Sequence, residues 1–285
     1  MDLASILISA AILGGVGLTF GSLIALANRH FKVFEDPRIS GTVELLPGTN
    51  CGACGFAGCQ GFAEGLVGGK AEPAGCTVMG PDDREEVASF LGVSAGVARK
   101  VVARLLCAGG ADVAVQQALY RGLPTCGAAA TVSGGGKGCP WGCLGLGDCE
   151  VVCDFDAITM SSNGLPVVDP ERCTACGDCV EACPKDLFTL MPMEQKLLVQ
   201  CKNLLEGDPA EALCRVACTA CGRCAADAAE GLIEIKDGLA VIDYEQNHRA
   251  GKDAIARCPT GAIVWLENGQ FTNLGLAQPA RSELG

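Results

Sequence analysis

The sequence predicts an α+β chain that opens with a single transmembrane helix and continues as a string of small cysteine-rich modules. Three observations predict it. Leu3–Ala27 carries no charged residue; 20 of the 285 residues are cysteine, set in recurring groups; and between those groups short apolar runs are broken by Asn163-Gly164 and Asp237-Gly238, as hairpins are. A formal net charge of −12 excludes a basic nucleic-acid binder, because the phosphate backbone would repel it. The two histidines, His30 and His248, lie far apart and leave little for His-based zinc catalysis or a His triad. Cysteine chemistry remains, and the spacings decide its kind.

As a helix, the apolar run would reach about 37 Å, against a hydrocarbon core of about 30 Å. A cleaved signal peptide fits less well, since no Lys or Arg precedes the run and Asp2 is acidic. A buried core helix would make almost the whole N-terminus one featureless apolar element. Arg29, Lys32 and Arg38 follow the run, so the positive-inside rule puts a single-pass helix over 1–28 and everything after Ala27 in the cytoplasm. Gly14, Gly15, Gly17 and Gly21 would let a partner helix approach closely. In a reducing compartment, clustered cysteines are metal ligands more often than disulfides.

Residues 29–80 are expected to form a small four-cysteine domain, with Cys51, Cys54 and Cys59 in CGACGFAGC and Cys76 further on. Glycines between the thiolates let a loop wrap an iron–sulfur cluster and aim N–H groups at sulfur, although four cysteines could also hold a structural zinc. FAEGLVGGK reads as a short helix ending in glycines. Residues 81–127, opening with PDDREE and carrying Arg99, Lys100 and Arg104 late, read as a helical spacer that holds Cys107 and Cys126. Residues 128–138 read as a flexible joint.

The next group has one established meaning. Cys173, Cys176, Cys179 and Cys183 stand in CTACGDCVEACP, the C-x2-C-x2-C-x3-C-P run of bacterial two-cluster ferredoxins, in which the fourth cysteine of each run serves the other cluster. Its partner run, Cys139, Cys143, Cys149 and Cys153, has an expanded spacing. Cross-ligation then groups Cys153, Cys173, Cys176 and Cys179 at one [4Fe–4S] cluster and Cys139, Cys143, Cys149 and Cys183 at the other, within a module spanning 128–200. A second ferredoxin-like module over 201–267 repeats the plan with one cluster lost. Cys218, Cys221, Cys224 and Cys258 remain, whereas Ala228, His248, Gly251 and Ala254 occupy the other set of positions. A single imidazole cannot hold a cluster, so His248 reads as a surface residue. Cys107, Cys126, Cys201 and Cys214 flank the central module in pairs and form either a fifth cluster or four buried thiols. The tail, 268–285, is uninformative.

The apolar helix, LPGTNCGACGFAGC with its later cysteine, CLGLGDC and CTACGDCVEACPK together resemble the B subunit of the Rnf complex, from Met1 to about Val264. The CPWGCLGLGDC run is similar to the longer form of that subunit in anaerobes. Two departures stand out: Thr77 follows Cys76 where a proline-rich continuation is usual, and the last module lacks a full cysteine set. The resemblance implies a membrane-anchored electron-transfer subunit of an ion-translocating ferredoxin:NAD oxidoreductase. It also implies soluble ferredoxin as donor, other membrane and flavin subunits as partners, and a place at the cytoplasmic membrane. A related membrane reductase that keeps a redox-sensing regulator reduced would have the same wiring.

This chain alone carries no complete active site. It has no G-x-G-x-x-G after a strand and no G-x-x-x-x-G-K-[ST], so flavin and NAD are expected on other subunits. A lone helix with no ionisable group in the bilayer does not line an ion path. Because the chain and a ferredoxin would both be acidic, docking is expected at local cations such as Lys185, Lys196, Lys202, Arg215 and Arg223. Electrons are expected to enter through the C-terminal modules and leave through the Cys51 group, nearest the bilayer. A zinc-binding scaffold is the remaining alternative, and the evenly spaced C-x2-C-x2-C-x3-C-P run argues against it.

Overall fold

The computed structural model describes residues 3–30, 36–267 and 269–271; Asp2, Lys32 and most of the 268–285 tail lie outside the described residues. Helix α1 (Leu3–His30) contains an apolar stretch, Ala10–His30, long enough to cross a membrane. Its described apolar side chains are exposed: Leu13 and Leu18 are 73% and 75% exposed, and nothing lies within 4 Å of a Cβ built on Gly14, Gly15, Gly17 or Gly21. A helix apolar all round with its leucines uncovered fits a lipid environment.

Three helices make the next unit. Helix α2 (Pro37–Leu45) starts on Asp36, whose carboxylate accepts the Arg38 N–H, with Pro37 in the first turn. Helix α3 (Gly58–Val67) ends at Gly68, and α4 (Pro81–Leu91) ends at Gly92, which takes the left-handed conformation. Leu46, Phe62, Ala63, Leu66, Met79 and Val87 close a core among them.

The helical expectation for 81–127 holds only for α4. Beyond it, Val101–Leu105 is strand β1. Gly92 stops the helix, two successive β-branched valines favour extended backbone, and burial of Val102 through Leu105 suits a strand covered on both faces. The short helices α5 (Cys126–Thr131) and α6 (Asp148–Val151) follow, then the hairpin β2 (Ile158–Met160) and β3 (Pro166–Val168), helix α7 (Asp178–Glu181) and β4 (Phe188–Pro192). Strand β1 pairs antiparallel with β4, so outer strands clamp an inner hairpin.

The chain then repeats itself. Strand β5 (Leu197–Val199), helices α8 (Gly207–Leu213) and α9 (Arg223–Asp227), the hairpin β6 (Ile233–Lys236) and β7 (Leu239–Ile242), helix α10 (Asp253–Ala256) and β8 (Ile263–Trp265) follow in order. Strand β5 pairs with β8 as β1 pairs with β4. The first module therefore begins at Val101, not at 128, and the second at Leu197, not at 201. Each carries an excursion after its first outer strand, 106–138 in one and 200–217 in the other. Cys107 and Cys201 each stand two residues past an outer strand, in equivalent places.

Residues 128–138 are not a joint. The Gln117 and Ala118 N–H groups donate to the Gly136 carbonyl, and Gly138 donates to Val115. Gly136 has φ 83, and a Cβ there would lie 2.3 Å from the Ala118 carbonyl oxygen. Glycine here permits close packing of backbone on backbone. In the second module, Ala254 and Ala228 belong to a core with Leu197, Leu232 and Ile242, so apolar side chains fill the region of the missing cysteines. His248 is exposed.

Candidate metal centres

Each cysteine loop bends where glycine, or a residue tolerating positive φ, allows it. Gly52, Gly55 and Gly58 all have positive φ in the first loop, and Asn50 locks it. The Asn50 Oδ1 accepts the Cys59 N–H at 2.8 Å while its Nδ2 donates to the Gly48 carbonyl. The two CTACG segments adopt the same backbone twice: φ is 59° and 99° at Ala175 and Gly177, and 54° and 73° at Ala220 and Gly222.

These loops frame five cavities, each lined by four cysteines. Cys51, Cys54, Cys59 and Cys76 line one; Cys153, Cys173, Cys176 and Cys179 the second; Cys218, Cys221, Cys224 and Cys258 the third. The other two exchange a pair of the expected members. Cys126, not Cys139, joins Cys143, Cys149 and Cys183, and Cys139, not Cys126, joins Cys107, Cys201 and Cys214. The cause lies in Asp148, whose carboxylate accepts the Cys126 and Gly127 N–H groups at 2.9 and 3.0 Å and draws α5 onto α6. Cys139 is left beside Lys137, whose Nζ donates to the Gly109 carbonyl in the excursion behind β1. All twenty cysteines are thereby used.

Burial dominates the thiols. It pushes Cys143, Cys179 and Cys201 up to about 12 and Cys224 up to about 11, and it raises Cys149 further. Cys258 is the exception: burial raises it too, but the Ile263, Thr260 and Ala262 N–H groups and the Thr260 hydroxyl outweigh that and bring it below the ordinary thiol value. Thiols gathered in fours suit a metal, which binds the thiolate form and displaces the protons.

The polar lining fits an iron–sulfur cluster. Backbone N–H groups point at sulfur: Ala103 to Cys173 at 3.4 Å, Ala157 to Cys153 at 3.3 Å, Leu187 to Cys183 at 3.5 Å, and both Gly109 and Cys143 to Cys107 at 3.4 Å. Three buried polar atoms without a partner, Thr77 Oγ1, Thr174 Oγ1 and Asn203 Nδ2, belong to residues lining three of these cavities. Buried donors of this kind demand an acceptor, which a cluster sulfide supplies. Among the described residues, no group of three or more His, Cys, Asp or Glu side chains is arranged to hold a single metal ion. The sulfurs surround hollows rather than a point about 2.3 Å away, as zinc requires.

Comparison with known proteins agrees. A family model for an Fe-S cluster matches residues 46–78, and one for a 4Fe-4S binding domain matches 166–189. The B subunit of the Na(+)-translocating ferredoxin:NAD(+) oxidoreductase complex of Acetobacterium woodii is 43% identical over 92% of this chain and 78% of its own length. The B subunit of the ion-translocating oxidoreductase complex of Methanosarcina acetivorans is 36% identical over 92% of this chain and 99% of its own. This chain belongs to the Rnf B-subunit family.

As an Rnf B subunit it is an iron–sulfur subunit of a redox complex, it has the other subunits of that complex as partners, and its apolar helix associates it with the membrane. A third relative, the B subunit of the proton-translocating ferredoxin:NAD(+) oxidoreductase complex of Clostridium ljungdahlii, is 36% identical over 89% of this chain and 90% of its own length. Sequence reasoning missed Asp148, Lys137 and Asn203 as parts of the sites. Asp148 carries a signal in retrospect, because it occupies in GLGDC the place Asp178 occupies in ACGDC. Of the cations expected at a docking surface, Lys185 and Lys202 line cysteine cavities, Arg215 donates to the Asp112 carbonyl, and Lys196 and Arg223 are exposed.

Proposed function

We propose that this chain relays electrons from soluble ferredoxin to flavin-bearing and membrane subunits of an ion-translocating ferredoxin:NAD oxidoreductase. It is held by α1 at the cytoplasmic membrane with its modules on the cytoplasmic side. The observation that carries the reading is the arrangement of all twenty cysteines as five four-cysteine cavities, four of them joined in series. Each set would hold one [4Fe–4S] cluster, a one-electron carrier whose potential the protein sets.

The residues of this chain supply the series. Each of the two cysteine runs serves two neighbouring sites: α6 carries Cys149 and the residues just past it Cys153, while α7 carries Cys179 and the residues just past it Cys183. Cys139 and Cys143 join the Cys126 site to the Cys107 site, where the Cys143 N–H also donates to Cys107. Cys214 and Cys218 join the Cys107 site to the Cys218 site. The order is thus the Cys153, Cys126, Cys107 and Cys218 sites, with the Cys51 site on its own unit behind α1. The surface cations, Lys196 and Arg223 among them, offer an acidic ferredoxin its landing place, and the acidic remainder of the surface limits where it lands.

Anaerobic purification followed by iron, acid-labile sulfide and zinc analysis tests the reading. About twenty irons per chain are expected from five four-iron clusters. About sixteen would remove one site from the series, and zinc in place of iron would overturn it.

A further inference from the structure

The Cys107 site lies between the two modules and carries fixed positive charge. Lys137 and Lys202 both line it. Asp148 offsets Lys185 at the Cys126 site, and no charged side chain lines the Cys51 or Cys218 sites; at the Cys153 site Asp178 is accompanied by the buried Arg104, whose charge acts on Cys173, and by Lys100, whose Nζ donates to the Cys173 carbonyl at 2.8 Å. Two cations on one site are notable in a chain whose net charge is −12. Lys137 is held in place: its stem lies over Gly142, where a Cβ would meet its Cε at 2.8 Å, and its Nζ donates to Gly109.

Asn203 adds a second, independent feature. It is 1% exposed, its Oδ1 accepts the Leu205 N–H at 3.0 Å, and its own N–H donates to Cys201 Sγ at 3.4 Å. Its Nδ2 is buried with no partner, on a residue that lines the cavity. An amide does not surrender a buried donor without cost unless an acceptor faces it.

We propose that Lys137 and Asn203 raise the reduction potential of the Cys107 site, which lies between the two modules. The inference rests on the five-site reading above. One electron from a one-electron donor such as reduced ferredoxin, which is thereby oxidised, takes a four-thiolate [4Fe–4S] centre from a net charge of roughly −2 to roughly −3, with no bond made or broken. A fixed cation and a donated N–H both favour the more negative form, and in a buried setting they do so strongly.

The test is an anaerobic redox titration of the full-length, cluster-loaded protein, followed by EPR and paired with iron analysis. Cys201→Ala identifies the site: loss of iron together with one signal is expected. Lys137→Met should lower the reduced-to-oxidised ratio of this signal about tenfold at fixed potential, about 59 mV for a one-electron couple. Lys137→Arg should restore it. Asn203→Asp keeps the oxygen that accepts from Leu205 and puts a negatively charged acceptor in place of the donor, so it should shift the same signal downward with iron content unchanged. If the signal lost in Cys201→Ala keeps its potential in both fully loaded Lys137→Met and Asn203→Asp variants, the proposal is overturned. If Cys201→Ala loses neither iron nor a signal, the five-site reading itself fails.

Discussion

Asn50 closes the first cysteine loop with both ends of one amide, taking the Cys59 N–H on Oδ1 and giving Nδ2 to Gly48. It does so from a left-handed backbone, φ 50°, which asparagine tolerates better than most residues. Asn50→Leu removes both bonds and strains the turn, so a loss of about 1–3 kcal/mol is expected locally. The readout is release of the Cys51-site iron on mild chelation while the other sites keep theirs. A second residue-scale prediction concerns Cys126 and Cys139, which share a run of chain but face different cavities. Alanine at either position should remove a different EPR signal, and Cys139→Ala and Cys201→Ala should remove the same one. If Cys126→Ala and Cys201→Ala instead agree, the grouping follows the sequence-based expectation and not the structure.

Elements, in turn, decide which residues meet. The hairpin β6–β7 turns through Asp237 and Gly238, both left-handed at φ 50° and 76°, as a two-residue turn requires. Gly238 also sits under the 200–217 excursion, where a Cβ would come within 2.4 Å of the Leu204 carbonyl oxygen. Gly238→Val should therefore cost about 1–3 kcal/mol and loosen the segment that carries Cys201 and Cys214. A lower melting temperature of the loaded protein, with early loss of the Cys107-site signal, would check it. Helix α1 makes a separate prediction, because its exposed leucines have lipid as their natural covering. Removing residues 3–30 should move the protein from the membrane fraction to the soluble fraction with its iron content intact.

At the scale of the whole molecule, the cysteines are part of the cores and do not stand apart from them. Cys107, Cys149, Cys173 and Cys179 belong to the buried cluster of the first module, and Cys218 and Cys224 to that of the second. The modules are small, their strands are three to five residues long, and their centres are hollows lined by thiols. Metal binding and folding free energy are then largely one quantity. Chelation of iron under anaerobic conditions should abolish the cooperative thermal transition, visible by circular dichroism. A transition that survived unchanged would mean that apolar packing alone holds the modules.

Much was settled by local sequence. The apolar run, the C-x2-C-x2-C-x3-C-P motif, the two hairpin turns and the separation of Cys218, Cys221, Cys224 and Cys258 from the lost set all depend on residues near one another, or on a spacing with one chemical meaning. What depended on distant pairing was not legible. Val101–Leu105 resembles a helix end until β4 is there to pair with it, and 128–138 resembles a linker until Ala118 and Val115 pack on its glycines. The division of Cys126 from Cys139 turns on where the Asp148 carboxylate finds its two N–H donors, a contact across 22 residues that no spacing rule encodes. Sequence determined that this chain carries clustered thiolates behind a membrane helix; tertiary structure decided which four thiolates face each other, because convergence is a property of packed elements and not of the chain's order.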